Sequence, residues 1–138
     1  RWVTKPTQRL VQNLIKQFPS LRIIGFPRGA GSNALDFCKE TKIHCLGCDT
    51  AMPLKEMKQL AQQTGVAVQG NIDPLLLVTG GEPLARRIDE TLETLKGVPH
   101  IFNLGHGIVP ETPPENVAHL VERVRSHASL YGSEKKRV

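Results

Sequence analysis

Four short apolar runs recur along the chain: LRIIGF (21–26), IHCLGC (43–48), VAVQG (66–70) and HIFNL (100–104). Each gives way to a loop rich in Gly, Pro, Asn or Asp, and then to a helical pattern. This alternation is the strongest constraint on the fold, because strands that alternate with helices pair in parallel through helical crossovers. The helical stretches keep their apolar residues on one side. Leu10, Val11, Leu14, Ile15 and Phe18 form one face ahead of the first run. A short, weakly patterned helix is predicted at 32–41. Leu54, Met57, Leu60 and Ala61 are in register after Pro53, and Leu84, Ile88, Leu92 and Leu95 follow Glu82-Pro83. Val117, Leu120, Val121 and Val124 make the last 3.6-residue stripe. Thr112, Pro113 and Glu115 before it read as N-cap, first helical residue and capping-box acid.

Four βα units can form a small open sheet with helices on both faces, or half of an eight-stranded barrel of about 250 residues. Both arrangements put function at the carboxyl ends of the strands. The loops there are PRGAG (27–31), DTAMP (49–53), NIDP (71–74) and GHGIVP (105–110). No linker interrupts residues 1–129, which read as one domain, and 130–138 read as a charged tail.

Composition narrows the function classes. With 39% hydrophobic and 22% charged residues in 138, the chain is globular. No apolar run is long enough to cross a bilayer, so no membrane is expected. The net charge is +5, but the cations are dispersed along helical faces and read as ordinary surface charge. Aromatic residues make up only 4%, which leaves no stacking platform for nucleic acid. Three cysteines and no secretory signal point to a reducing, cytoplasmic setting. A chain that opens on Arg1 is expected to be a processed product or a piece of a longer one.

Several polar groups stand at the predicted strand ends. His44, Cys45 and Cys48 form a CxxC with a neighbouring histidine. No second pair completes a zinc set and the residues fall in a strand pattern, so Cys45 reads as a small hydrophobe and no metal is expected. FPRGAG (26–31) lacks the lysine and hydroxyl of a P-loop. Arg28 within it is a candidate two-point carboxylate clamp, set against an ordinary exposed arginine. Asp73-Pro74 is N-cap chemistry for a short helix. Gly70 and Asn71 just before it are not needed for that cap, and a strand-end glycine admits a ligand or another backbone. His106 lies between two glycines at a strand's carboxyl end, so its ring is free of neighbouring side chains and suited to meet a carboxylate. His119 and His127 fall on the polar side of the last helix, and His100 starts a strand.

QGNIDP (69–74) together with IFNLGHGIVPETPPENVAHLVERVR (101–125) resembles the carboxyl-terminal part of the uroporphyrinogen decarboxylase family, over residues 1–129. GFPRGAG and LGCDTAMPL fall where that family has a glycine-rich loop and a Gly-x-Asp strand end; GCDT departs from its commoner Gly-Leu-Asp-Trp. The resemblance implies the last four βα units of a (β/α)8 barrel. It implies loss of carbon dioxide from the four acetate side chains of uroporphyrinogen III, without metal or organic cofactor. His106 inherits a substrate-binding role, with Arg28, Gly70 and Asn71 as further candidates. The family's principal aspartate and paired arginines lie in its amino-terminal half, so this chain alone is expected to be inactive. A homodimer is implied for the whole protein. A half barrel also leaves open edges at LRIIGF and HIFNL, which favour self-pairing. The rival readings are a zinc-dependent corrinoid- or methionine-linked methyltransferase of the same superfamily, using His44, Cys45 and Cys48, and a non-catalytic polyanion-binding module.

Overall fold

The computed structural model describes the backbone of residues 2–134 and the side chains of residues 2–127. The elements run α1 (Thr4–Gln17), β1 (Ile24–Gly25), α2 (Ala34–Thr41), β2 (Cys45–Gly47), α3 (Leu54–Thr64), β3 (Ala67–Gln69), α4 (Pro74–Thr79), α5 (Gly81–Thr94), β4 (His100–Ile101) and α6 (Pro114–Glu134). One turn of 3₁₀ helix, Gly31–Asn33, leads into α2. The strands form one sheet in the order β1-β2-β3-β4, every pair parallel. The expected βα alternation is therefore present, with β1 and β4 at the edges. The ladders are shorter than the apolar runs: the central strands β2 and β3 hold three residues each and the edge strands β1 and β4 two.

Register divides the side chains between two faces. Ile24 is level with Cys45 and Cys45 with Ala67; Gly47 is level with Gln69, and Gln69 with Ile101. These project to one side, whereas Gly25, Leu46, Val68 and His100 project to the other. The second side is the packed one. Leu46 and Val68 are fully buried against Phe37, Cys38, Met57, Leu60 and Ala61 of α2 and α3. A second cluster, Ile72, Leu77, Leu84 and Ile88, is closed by Phe102, Val117, Leu120 and Val124. Among the described residues no helix covers the first side, where Ile24 is 50% exposed and Ile101 46%; Phe26 beside Gly47 is 49% exposed.

Helix ends follow local chemistry in most places. Asp73 caps α4 by accepting the Leu75 N–H at 2.9 Å, and Gly65 ends α3 with φ +69°. Two expectations need correction. Thr112 does not cap α6: the helix begins at Pro114, one residue later than expected, and the buried Thr112 hydroxyl has no hydrogen-bond partner among the described residues. The helix start is set instead by Asn116, whose Nδ2 donates to Leu77 O (2.9 Å) and Val78 O (3.1 Å). These are carbonyls at the end of α4, so a tertiary contact overrides the local cap. The α1 stripe is also only partly buried. Val11 is enclosed, but Leu10 and Phe18 are exposed, because α1 packs on α2 alone at the margin of the sheet. The tail expected from residue 130 falls beyond the described side chains. Its backbone remains helical through Glu134, and residues 135–138 lie outside the described residues.

Candidate functional site

The four βα loops meet at the carboxyl end of the sheet, and Asp49 lies where they meet. It lies two residues after the end of β2. Its Oδ1 accepts the Ala51 N–H at 3.0 Å, a local turn of the kind Asp forms readily. Its Oδ2 accepts the Gly29 N–H of the first loop at 2.7 Å, a short charge-assisted bond. Its carbonyl accepts Asn71 Nδ2 at 2.9 Å, and the same amide nitrogen donates to Met52 O at 2.6 Å. Asn71 is 1% exposed, and its Oδ1 has no hydrogen-bond partner among the described residues. Asn71 is thus seated beneath the second loop.

Two glycines let these backbones close up. Gly70 has φ +129°, and a Cβ there would stand 2.5 Å from Cys48 O. A Cβ on Gly105 would stand 2.6 Å from Thr50 N. Any side chain at either position would push the loops apart. Of the two visitors that a strand-end glycine admits, Gly70 receives a neighbouring backbone. Behind it, His100 Nε2 lies 2.9 Å from Gly70 O. A carbonyl only accepts, so Nε2 carries the hydrogen. Burial holds the His100 pKa below its ordinary 6.5, which keeps the ring neutral.

On this floor sits a recess of about 220 Å³ bordered by Arg28, Asp49, Asp73, Gly105 and His106. Arg28 comes from the first loop and His106 from the fourth, 78 positions later in the chain (106 − 28). Both carboxylates in the recess accept backbone N–H groups, Asp49 from Gly29 and Ala51 and Asp73 from Leu75. Arg28 makes no ion pair among the described residues. The polar groups left to meet a ligand are a guanidinium and an imidazole, a pair suited to carboxylates. His106 also borders a cleft of about 620 Å³ that runs onto the uncovered sheet face beside Phe26, Gly47, Gln69 and Asn103. A charged rim therefore opens directly onto an apolar wall.

The cysteines lie elsewhere in the chemistry. Cys38, Cys45 and Cys48 are buried free thiols. Burial, reinforced by the neighbouring thiols, raises Cys48 to about 12 and Cys38 to about 11; burial alone raises Cys45. His44 uses Nδ1 to accept the Ile23 N–H at 3.1 Å. Among the described residues no three His, Cys, Asp or Glu side chains are grouped to hold a metal ion.

The uroporphyrinogen decarboxylase (URO-D) family profile matches residues 1–127. The chain belongs to the uroporphyrinogen decarboxylase family. It is 47% identical over 126 residues to the uroporphyrinogen decarboxylase of Rhodospirillum rubrum, covering 91% of this chain and 36% of that protein. It is 43% identical over 127 residues to the one from Granulibacter bethesdensis, with the same coverage of 91% and 36%. For the one from Acidiphilium cryptum the identity is 46% over 124 residues, covering 90% of this chain and 34% of that protein. The chain spans about a third of the length of these curated relatives. Among the described residues no helix is long and apolar enough to cross a membrane.

Sequence reasoning about this decarboxylase-family chain singled out Arg28 and His106, and the fold brings them to one recess. It missed Asp49 and Asn116, which join elements distant in sequence. The signals for Asp49 were an acid two residues past a strand and five ahead of a helix start, and the Gly-x-Asp strand end of the family resemblance. Nothing local pointed to Gly29 as its partner.

Proposed function

We propose that this chain is the carboxyl-terminal half of the (β/α)8 barrel of a uroporphyrinogen decarboxylase. The observation that carries the reading is the shared recess of Arg28 and His106. In it both local carboxylates accept backbone N–H groups, and a guanidinium and an imidazole stand at the same recess. The substrate is a tetrapyrrole with eight carboxylates, and Arg28 and His106 each bind part of it. The apolar cleft beside Phe26 receives the face of a pyrrole ring. Gly70 and Asn71 act beneath the rim, the glycine by letting backbones close and the asparagine by holding the second loop.

The chemistry follows from the substrate. An electron-rich pyrrole takes a proton on a ring carbon and becomes a cation. The bond from the acetate methylene to its carboxylate then breaks, and the electron pair flows into the ring as carbon dioxide leaves. Protonation of the methylene carbon and loss of the ring proton leave a methyl group. Because the ring is its own electron sink, the reaction calls for no cofactor. The protein's task is to hold the polyanion and favour the developing positive charge in a dry cleft. The groups that contact the pyrrole nitrogens come from the amino-terminal part, and the whole enzyme works as a cytoplasmic homodimer.

Turnover of uroporphyrinogen tests the reading. This chain alone is expected to give none, whereas a polypeptide that also supplies the amino-terminal part gives coproporphyrinogen. In that polypeptide His106→Asn is expected to slow turnover and let partly decarboxylated products accumulate. Unchanged rate and product distribution would remove His106 from the site.

A further inference from the structure

We propose that Asp49 is the positioning residue of this rim: it clasps the glycine-rich first loop and so sets where Arg28 meets a substrate carboxylate. The inference rests on the reading of Arg28 as a substrate contact. Its physical content lies in what Asp49 does with each acceptor. A carboxylate that served only its own turn would need one oxygen, and Oδ1 fills that need with the Ala51 N–H. Oδ2 is spent on Gly29, twenty residues away in sequence, at 2.7 Å.

Asp49 does not serve as the cap of the next helix. The residue at that position is Pro53, and α3 has no side-chain cap.

Gly29 lies in a turn in which the Ala30 N–H donates to Pro27 O at 3.0 Å, and its φ of +72° suits glycine. Arg28 is the preceding residue of that turn, so tying Gly29 fixes the Arg28 backbone. The other end of the clasp is equally constrained. The Asp49 carbonyl is held by the buried Asn71 amide, and the Asp49–Thr50 peptide is the surface on which Gly105, next to His106, rests. One residue thus references the Arg28 loop and the His106 loop to the same point. The charge on Asp49 is offset in part by the two N–H dipoles that face its oxygens.

The test uses a polypeptide that includes the amino-terminal part and compares wild type with Asp49→Ala, Asp49→Asn, Arg28→Ala and Asp49→Ala/Arg28→Ala. Hydrogen exchange read by mass spectrometry over residues 27–33 is expected to quicken at least about tenfold in Asp49→Ala, as loss of a charge-assisted bond requires. Exchange in β3 is expected to stay unchanged. KM for uroporphyrinogen is expected to rise about tenfold, with kcat within about twofold of wild type, as lost ground-state binding requires. The double variant is expected to bind no worse than Arg28→Ala, because both substitutions remove the same interaction. Asp49→Asn, which keeps the shape and one acceptor oxygen, is expected to fall between, and it is the variant to read if Asp49→Ala does not fold. Unchanged exchange over 27–33 overturns the clasp, and additive KM effects overturn its action through Arg28. Faster exchange with a kinetically silent Arg28→Ala upholds the clasp and overturns the substrate role of Arg28 instead.

Discussion

The two faces of the sheet differ more than any other two regions of this molecule. On one, Leu46 and Val68 are sealed beneath helices; on the other, Ile24, Phe26 and Ile101 stand half in solvent with no layer of the described residues above them. Parallel sheets are almost always covered on both faces, because parallel strands are apolar on both. The bare face therefore has the composition of an interior without the cover of one. The candidate site lies on the rim of that face: Arg28 and His106 project from strand ends whose inner side chains form the apolar cleft. Burial on one side makes this chain a fold, and openness on the other gives it a site.

Substitutions separate the faces most strongly by stability. Leu46→Ala is expected to cost about 2–5 kcal/mol in denaturant unfolding, from lost burial and the cavity left behind. Ile24→Ala in the same chain is expected to cost under about 1 kcal/mol, since half of that side chain is already in water. Equal costs would break the contrast. In a polypeptide that supplies the amino-terminal part, the Ile24→Ala cost is expected to rise to about 2 kcal/mol or more as the face becomes interior. A cost that stays small there would count against the half-barrel reading.

Association gives a second, weaker separation. An exposed apolar face with two edge strands favours self-pairing, so the isolated chain is expected to sediment as dimers or larger species. Phe26→Lys together with Ile101→Lys is expected to shift it toward monomer. A monomeric wild-type chain would show that the face needs no partner.

The smallest effects come from titratable groups within the covered layer. The folded state holds His100 below its ordinary 6.5, so the unfolded chain takes up the proton first as pH falls. The stability contributed by the neutral ring is complete above that value and declines below it. Between pH 7.5 and 5.5 the melting temperature is expected to drop further in wild type than in His100→Gln, which keeps a donor for Gly70 O. With the Cys48 and Cys38 thiols raised to about 12 and about 11, alkylation at pH 8 is expected to spare both until the chain unfolds.

Much of the covered face was legible in the residues. Leu84, Ile88 and Leu92 of one stripe meet Val117, Leu120 and Val124 of the other in one cluster, as 3.6-residue spacing requires, whereas Leu95 packs in the first cluster and Val121 is exposed. Asp73 caps α4 because Asp-Pro chemistry acts within one turn. The failures share a cause. Thr112 had the sequence of a cap, but Asn116 reaching α4 decided where the helix begins. Leu10 and Phe18 fit a buried stripe, yet both are exposed, because α1 packs mainly on α2. The uncovered side of the sheet left no mark on the pattern either, since an inner residue reads alike with or without its cover.

By itself the sequence determined the βα order, the parallel sheet and the family, because these follow from local periodicity and from motifs such as NLGHG that need no partner to be read. It also placed Arg28 and His106 at strand ends. Only the tertiary structure decided that those two ends share a recess, that Asp49 accepts the Gly29 N–H, and that one face stays bare among the described residues. The physical reason is distance along the chain. A bond between residues 29 and 49, or between 49 and 71, joins segments that carry no local record of each other.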